Sequence, residues 1–126
     1  MAGLAVTDYK FQLTTQQGDT ANNESGVTYW KSLLGTDDLG SQLVKDISPV
    51  NNAAKIKRPV FLYAGADDIR VPLGQIRNMA SELADAGNPV KALVIKNQEG
   101  HGYGTVENNV DLYKQILAFL KEQIGQ

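Results

Sequence analysis

The sequence contains no cysteine. That excludes disulfides, thiolate metal sites and any thiol nucleophile, and it leaves the compartment open between cytoplasm and periplasm. No apolar run approaches the ~20 residues that cross a bilayer, and no positive segment followed by an apolar one marks a leader. Membrane association is therefore not expected. Neither sign of charge dominates: 12 basic residues face 14 acidic ones, for a net charge of −2. Without a basic field, strong nucleic-acid binding is not expected either. Internal repeats and coiled-coil heptads are absent, and histidine occurs once, as His101.

What is present suits one domain or a large part of one. Hydrophobic residues make up 42% of the 126 positions, enough for a real core. Gly3–Val6 is short and apolar and reads as the tail of a buried strand. Residues 14–26 are polar and poor in large side chains, which predicts a long loop. Such a loop is usually functional, mobile or waiting for a partner. Two short helices are expected over 27–35 and 38–47, the second ended by Ser48-Pro49 because proline disfavours helical geometry in the residue before it.

Pro59–Ala64 is a continuous apolar run bounded by Arg58 and Gly65-Ala66-Asp67-Asp68, as suits a strand buried on both faces of a parallel sheet. A helix from about Leu73 to Ala86 follows, with Ile76, Met79, Ala80 and Leu83 on one face and Gly87 and Pro89 at its end. Val90–Lys96 reads as a second strand and residues 98–105 as a glycine-rich loop. A last helix from about Val106 to Gln123 carries an apolar stripe of Val106, Val110, Tyr113, Leu117, Leu120 and Ile124, broadened by Ile116 and Phe119. This order predicts an α/β fold with a short, mostly parallel sheet and flanking helices. In open α/β sheets function gathers at the carboxyl ends of the strands, and both the Asp67-Asp68 pair and His101 fall there.

His101 lies in Glu99-Gly100-His101-Gly102-Tyr103-Gly104. The glycines let the backbone turn sharply and other groups come close. An imidazole there suits a general base, or it is a surface histidine with no role. A carboxylate that fixes its tautomer strengthens the first reading, and either Asp67 or Asp68 is available. The acidic pair also fits an ordinary solvated turn, or a small magnesium pocket of a flavodoxin-like or receiver-like domain. In such a domain, however, the pair normally follows an early strand, and here it sits mid-chain. Arg70 can hydrogen-bond a substrate carbonyl or carboxylate, or form a surface salt bridge worth at most about 1 kcal/mol. A serine nucleophile elbow needs Gly-x-Ser-x-Gly. Only Gly100 and Gly104 stand four apart, with Gly102 midway, so no elbow exists among these residues and none of Ser25, Ser32, Ser41, Ser48 and Ser81 has the required surroundings.

Three segments together resemble the prolyl oligopeptidase family of serine peptidases. Ser48-Pro49 through Ile56 is similar to its lead-in to a late strand. Gly65-Ala66-Asp67-Asp68-Ile69-Arg70-Val71-Pro72 resembles its Gly-x-x-Asp-x-x-Val-Pro signature. Glu99-Gly100-His101-Gly102-Tyr103 resembles its histidine segment, and Val6-Thr7-Asp8 also fits. Ala64 departs from the histidine often found before that first glycine. The resemblance implies the C-terminal part of an α/β-hydrolase catalytic domain, with Asp68 and His101 as two members of a Ser–His–Asp triad. Arg70 becomes a substrate-binding group. The serine, the oxyanion hole and any access-restricting domain would lie upstream of Met1. Peptides would be the substrates, with no cofactor and no metal, and this chain alone would be inactive. The alternative is a non-catalytic module that self-associates through an exposed sheet edge.

Overall fold

A computed structural model describes residues 2–3, 5–15 and 23–125. The sheet has three parallel strands in the order β1 (Ala2–Gly3), β2 (Phe61–Gly65), β3 (Ala92–Lys96). Leu62 stands opposite Ala2 on one side and Leu93 on the other, so β2 is the central strand. Its alternating side chains feed two separate cores. Leu62 and Ala64 pack with Val50, Ala53, Ile76, Met79 and Leu83. Phe61 packs on the opposite face with Val94, Leu112, Ile116 and Phe119. That is the α/β arrangement expected from an apolar run covered on both sides.

Five α-helices occur among the described residues. Helices α1 (Tyr9–Thr14), α2 (Glu24–Leu34) and α3 (Gln42–Ile47) each begin at a side-chain cap, from Asp8, Asn23 and Ser41 respectively. Those caps satisfy amide groups that the first turn leaves free. A 3-10 helix (Pro49–Lys55) follows Ser48. α4 (Gly74–Asp85) lies between β2 and β3 in the chain, and α5 (Val106–Ile124) ends the fold. Gly87 takes φ 77° just after α4, where a side chain is disfavoured.

Three expectations need correction. Helix α1 was not foreseen. The polar segment 14–26 is shorter as a loop than its composition suggests: Thr14 closes α1 and Glu24–Gly26 open α2, because Asn23 accepts a hydrogen bond from the Gly26 amide (2.8 Å). Residues 16–22 lie outside the described residues. The apolar stripe of α5 is only partly as expected: Ile116, Phe119 and the half-buried Leu120 meet the core, but the rest of its main line does not. Leu112, Ile116 and Phe119 are buried, whereas Val106, Val110, Tyr113, Leu117 and Ile124 are exposed. Helical spacing identifies an apolar face but not which face meets the sheet. Here two apolar faces compete, and the one with Phe119 wins by packing its tilted ring 5.5 Å from that of Phe61.

Candidate active site

Asp68 follows β2 by three residues and His101 follows β3 by five, so parallel pairing brings both to the same edge. His101 Nδ1 lies 3.0 Å from Asp68 Oδ2. The Asp68 side chain is 1% exposed and the imidazole 32% exposed. A carboxylate only accepts, so in the neutral ring Nδ1 carries the proton and Nε2 keeps a free lone pair. A third of the ring remains open to a reactant while its other side is held.

Asp68 is itself fixed by the backbone that follows it. Its Oδ1 accepts from the amides of Arg70 (2.8 Å) and Val71 (2.9 Å). This turn orients Oδ2 toward His101 without help from a long side chain. Asp67, by contrast, is exposed, and its amide donates to the Glu99 carbonyl (2.9 Å). The structure therefore brings Asp68, not Asp67, to the imidazole. Arg70 is exposed, and among the described residues its guanidinium joins no salt bridge. Among those same residues, no group of three His, Asp or Glu side chains is placed to hold a metal ion.

The loop after β3 is tied down at several points. Gly65, at the end of β2, has the Glu99 and Gly100 carbonyls against it, leaving no room for a Cβ. Gly102 takes φ 101° immediately after the histidine, a conformation that favours glycine. Gln98 takes φ 61° at the start of the loop, so the backbone is strained on a non-glycine residue there. The Tyr103 hydroxyl donates to the carbonyls of Ala64 (3.0 Å) and Val94 (3.4 Å), pinning the loop across β2 and β3. Burial, and then the charge of Glu99, push its phenol up to about 12. The Glu99 carboxylate is buried and accepts hydrogen bonds from Gly104, Thr105 and Asn108. The Thr105 and Asn108 hydrogen bonds are the main reason its pKa falls from 4.5 to about 2.

The aspartate side has a second brace. Gln75, fully buried in the first turn of α4, accepts from the Thr7 (3.0 Å) and Asp8 (2.8 Å) amides. It donates to Asp8 carbonyl (2.9 Å) and to Gln12 Oε1 (3.0 Å). Gln12 in turn donates to the Arg70 carbonyl (2.7 Å). The chain around residues 7–12 is thereby linked to the turn that holds Asp68. Sequence reading missed this brace, since a glutamine on an amphipathic helix is ordinarily a surface residue. The one signal was its place directly before the buried Ile76.

Comparison with known proteins follows the same lines. Residues 5–126 match the prolyl oligopeptidase family. The chain is 30% identical over 88 residues to dipeptidyl aminopeptidase BIII of Pseudoxanthomonas mexicana, covering 70% of this chain and 13% of that protein. It is 28% identical over 90 residues to dipeptidyl peptidase family member 6 of Caenorhabditis elegans, covering 71% and 12%. The chain thus aligns with about an eighth of the length of these relatives. Acylaminoacyl peptidase of Pyrococcus horikoshii shares the fold with a TM-score of 0.82 at 20% identity, over 99% of this chain and 20% of that one.

Proposed function

The chain belongs to the prolyl oligopeptidase family, and on that premise we propose that it is part of a serine-peptidase catalytic domain, supplying Asp68 and His101 to a triad whose serine comes from outside these 126 residues. The observation that carries this reading is the 3.0 Å contact between a buried aspartate and a part-exposed histidine at one sheet edge. In the complete site, His101 Nε2 takes the serine proton and returns it to the leaving amine. Asp68 holds the Nδ1–H and stabilises the imidazolium. Arg70, whose guanidinium is free of ion pairs among the described residues, holds a substrate carbonyl. The substrates are short peptides.

Alone, the chain has no nucleophile elbow. Removing the serine of a triad costs about a millionfold in turnover, so no peptidase activity is expected from these residues by themselves. Incubation with a fluorophosphonate, followed by intact-mass measurement, should leave the mass unchanged. Covalent modification of any of the five serines would overturn the reading.

The outer face of α5 favours a second reading, a self-associating module. Val106, Val110, Tyr113, Leu117 and Ile124 form an exposed apolar seam. In an antiparallel pair, Val106 meets Ile124 and Tyr113 meets Leu117 of a second copy, with Val110 between them. That register sets Glu107 beside Lys121 at both ends of the seam, opposite charges flanking an apolar core. Sedimentation velocity across a wide concentration range should then show a dimer, weakened by Leu117→Lys. A monomer throughout would discard this reading and leave the first intact.

A further inference from the structure

We propose that Glu99 is a positioning residue, holding the His101 loop in the one shape that presents the imidazole to Asp68. The inference rests on the Asp68–His101 reading above. Glu99 lies two residues before His101, and every donor to its carboxylate lies after it. The Gly104 amide, the Thr105 hydroxyl and amide (3.3 Å) and the Asn108 side chain (2.6 Å) all point to this one group. The carboxylate thus closes the loop from 99 to 108 on itself.

The same residue also fastens the loop to the aspartate side. Its carbonyl accepts from the Asp67 amide, next to Asp68. Glu99 is therefore a single hinge point joining the start of α5, the histidine loop and the aspartate turn. Its carboxylate stands at the N-terminal end of a 19-residue helix, where a negative charge is favoured. Thr105, the cap residue of that helix, makes no capping bond of its own, and its hydroxyl turns to Glu99 instead. A role for Glu99 in the proton transfers themselves does not fit. The residue is 2% exposed, and its lone pairs are taken by four donors.

The single histidine makes the test direct. Long-range 15N–1H spectra in mildly alkaline buffer read the ratio of Nδ1–H to Nε2–H tautomers of His101. The wild-type chain should favour Nδ1–H, and Asp68→Asn should abolish that preference. Glu99→Gln should lower the ratio about tenfold, the size expected when a charge-assisted hydrogen bond is lost. A residue that only stabilised the fold would lower the melting temperature and leave the ratio untouched. If Glu99→Gln does not fold, Thr105→Val removes one donor at an exposed position, and its ratio should fall in the same direction. An unchanged ratio in a folded Glu99→Gln chain, or in Thr105→Val where that variant decides, overturns the role of Glu99 while the Asp68 result stands. If Asp68→Asn itself leaves the ratio unchanged, the triad reading fails and this inference falls with it.

Discussion

Gly65 and Glu99 approach so closely that position 65 has no space for a side chain: a Cβ there would stand 2.1 Å from the Glu99 carbonyl oxygen and 2.3 Å from that of Gly100. The strand that leads to Asp68 and the loop that carries His101 are in backbone contact. Their relative position is set by glycine, not by a flexible side chain that could give way.

Gly65→Ala should therefore push the loop off the sheet edge. Overpacking of this kind costs about 1–3 kcal/mol, and here the obstacle is loop backbone at Glu99 and Gly100 rather than a movable side chain. Gly100→Ala is the matched control, because a Cβ there meets nothing closer than 4.0 Å. It should change stability by no more than about 0.5 kcal/mol. Urea unfolding of the two variants should separate them clearly. Equal midpoints would contradict the tight approach at Gly65.

Acid should unfold the chain partly through Glu99. Its native pKa of about 2 lies below the ordinary 4.5, so the unfolded chain binds the proton first as pH falls. The stabilisation is complete above about pH 4.5 and is lost as pH drops toward 2. Glu99→Gln removes this titration. Its unfolding free energy should be lower than wild type at pH 6, with the gap closing between pH 4.5 and 2. Asp111, whose pKa is lowered chiefly by the hydrogen bond from Lys96, titrates in both proteins and cancels from the difference. Curves that stay parallel down to pH 2 would show that Glu99 is not held as described.

Much of this was legible in the residues and some was not. The short apolar runs ending at Ala64 and at Ile95, each bounded by turn residues, announced two parallel strands; the central β2 is buried on both faces, whereas on β3 only Val94 is buried. The motif spacing pointed to Asp68, and the Arg70 and Val71 amides show why that carboxylate turns inward while Asp67 faces solvent. The braces were hidden. Glu99 is buried by donors from its own loop, at Gly104, Thr105 and Asn108, which only the folded loop brings together, and Gln75 by partners up to 68 residues away. Local pattern carries no record of such partners. The same limit explains α5, where two apolar faces share one helix and only tertiary contact decides between them.

That decision can be measured. Phe119 is buried against Phe61, and Phe119→Ala should cost about 3–5 kcal/mol. Leu117 is 64% exposed, and Leu117→Ala should shift stability by no more than about 0.5 kcal/mol in dilute solution. Thermal denaturation at low protein concentration keeps self-association out of the comparison. A large loss for Leu117→Ala under those conditions would mean that the seam is already covered within one chain.

Tyr103 gives the alkaline counterpart of Glu99. Its hydroxyl bridges the Ala64 and Val94 carbonyls, so Tyr103→Phe deletes one donor and keeps the ring against Tyr63. The loss should be about 1 kcal/mol at neutral pH. The phenol's native pKa of about 12 lies above the ordinary 10, because burial and the nearby Glu99 charge oppose ionisation. Between pH 10 and 12 the unfolded chain gives up a proton that the native chain keeps, and native stability falls as pH rises through that window. Tyr103→Phe has no such proton to lose. The difference between the two proteins should shrink steadily from pH 10 upward, followed by urea midpoints at half-unit steps. A constant difference across that range would place the Tyr103 hydroxyl in water and release the histidine loop from the two strands.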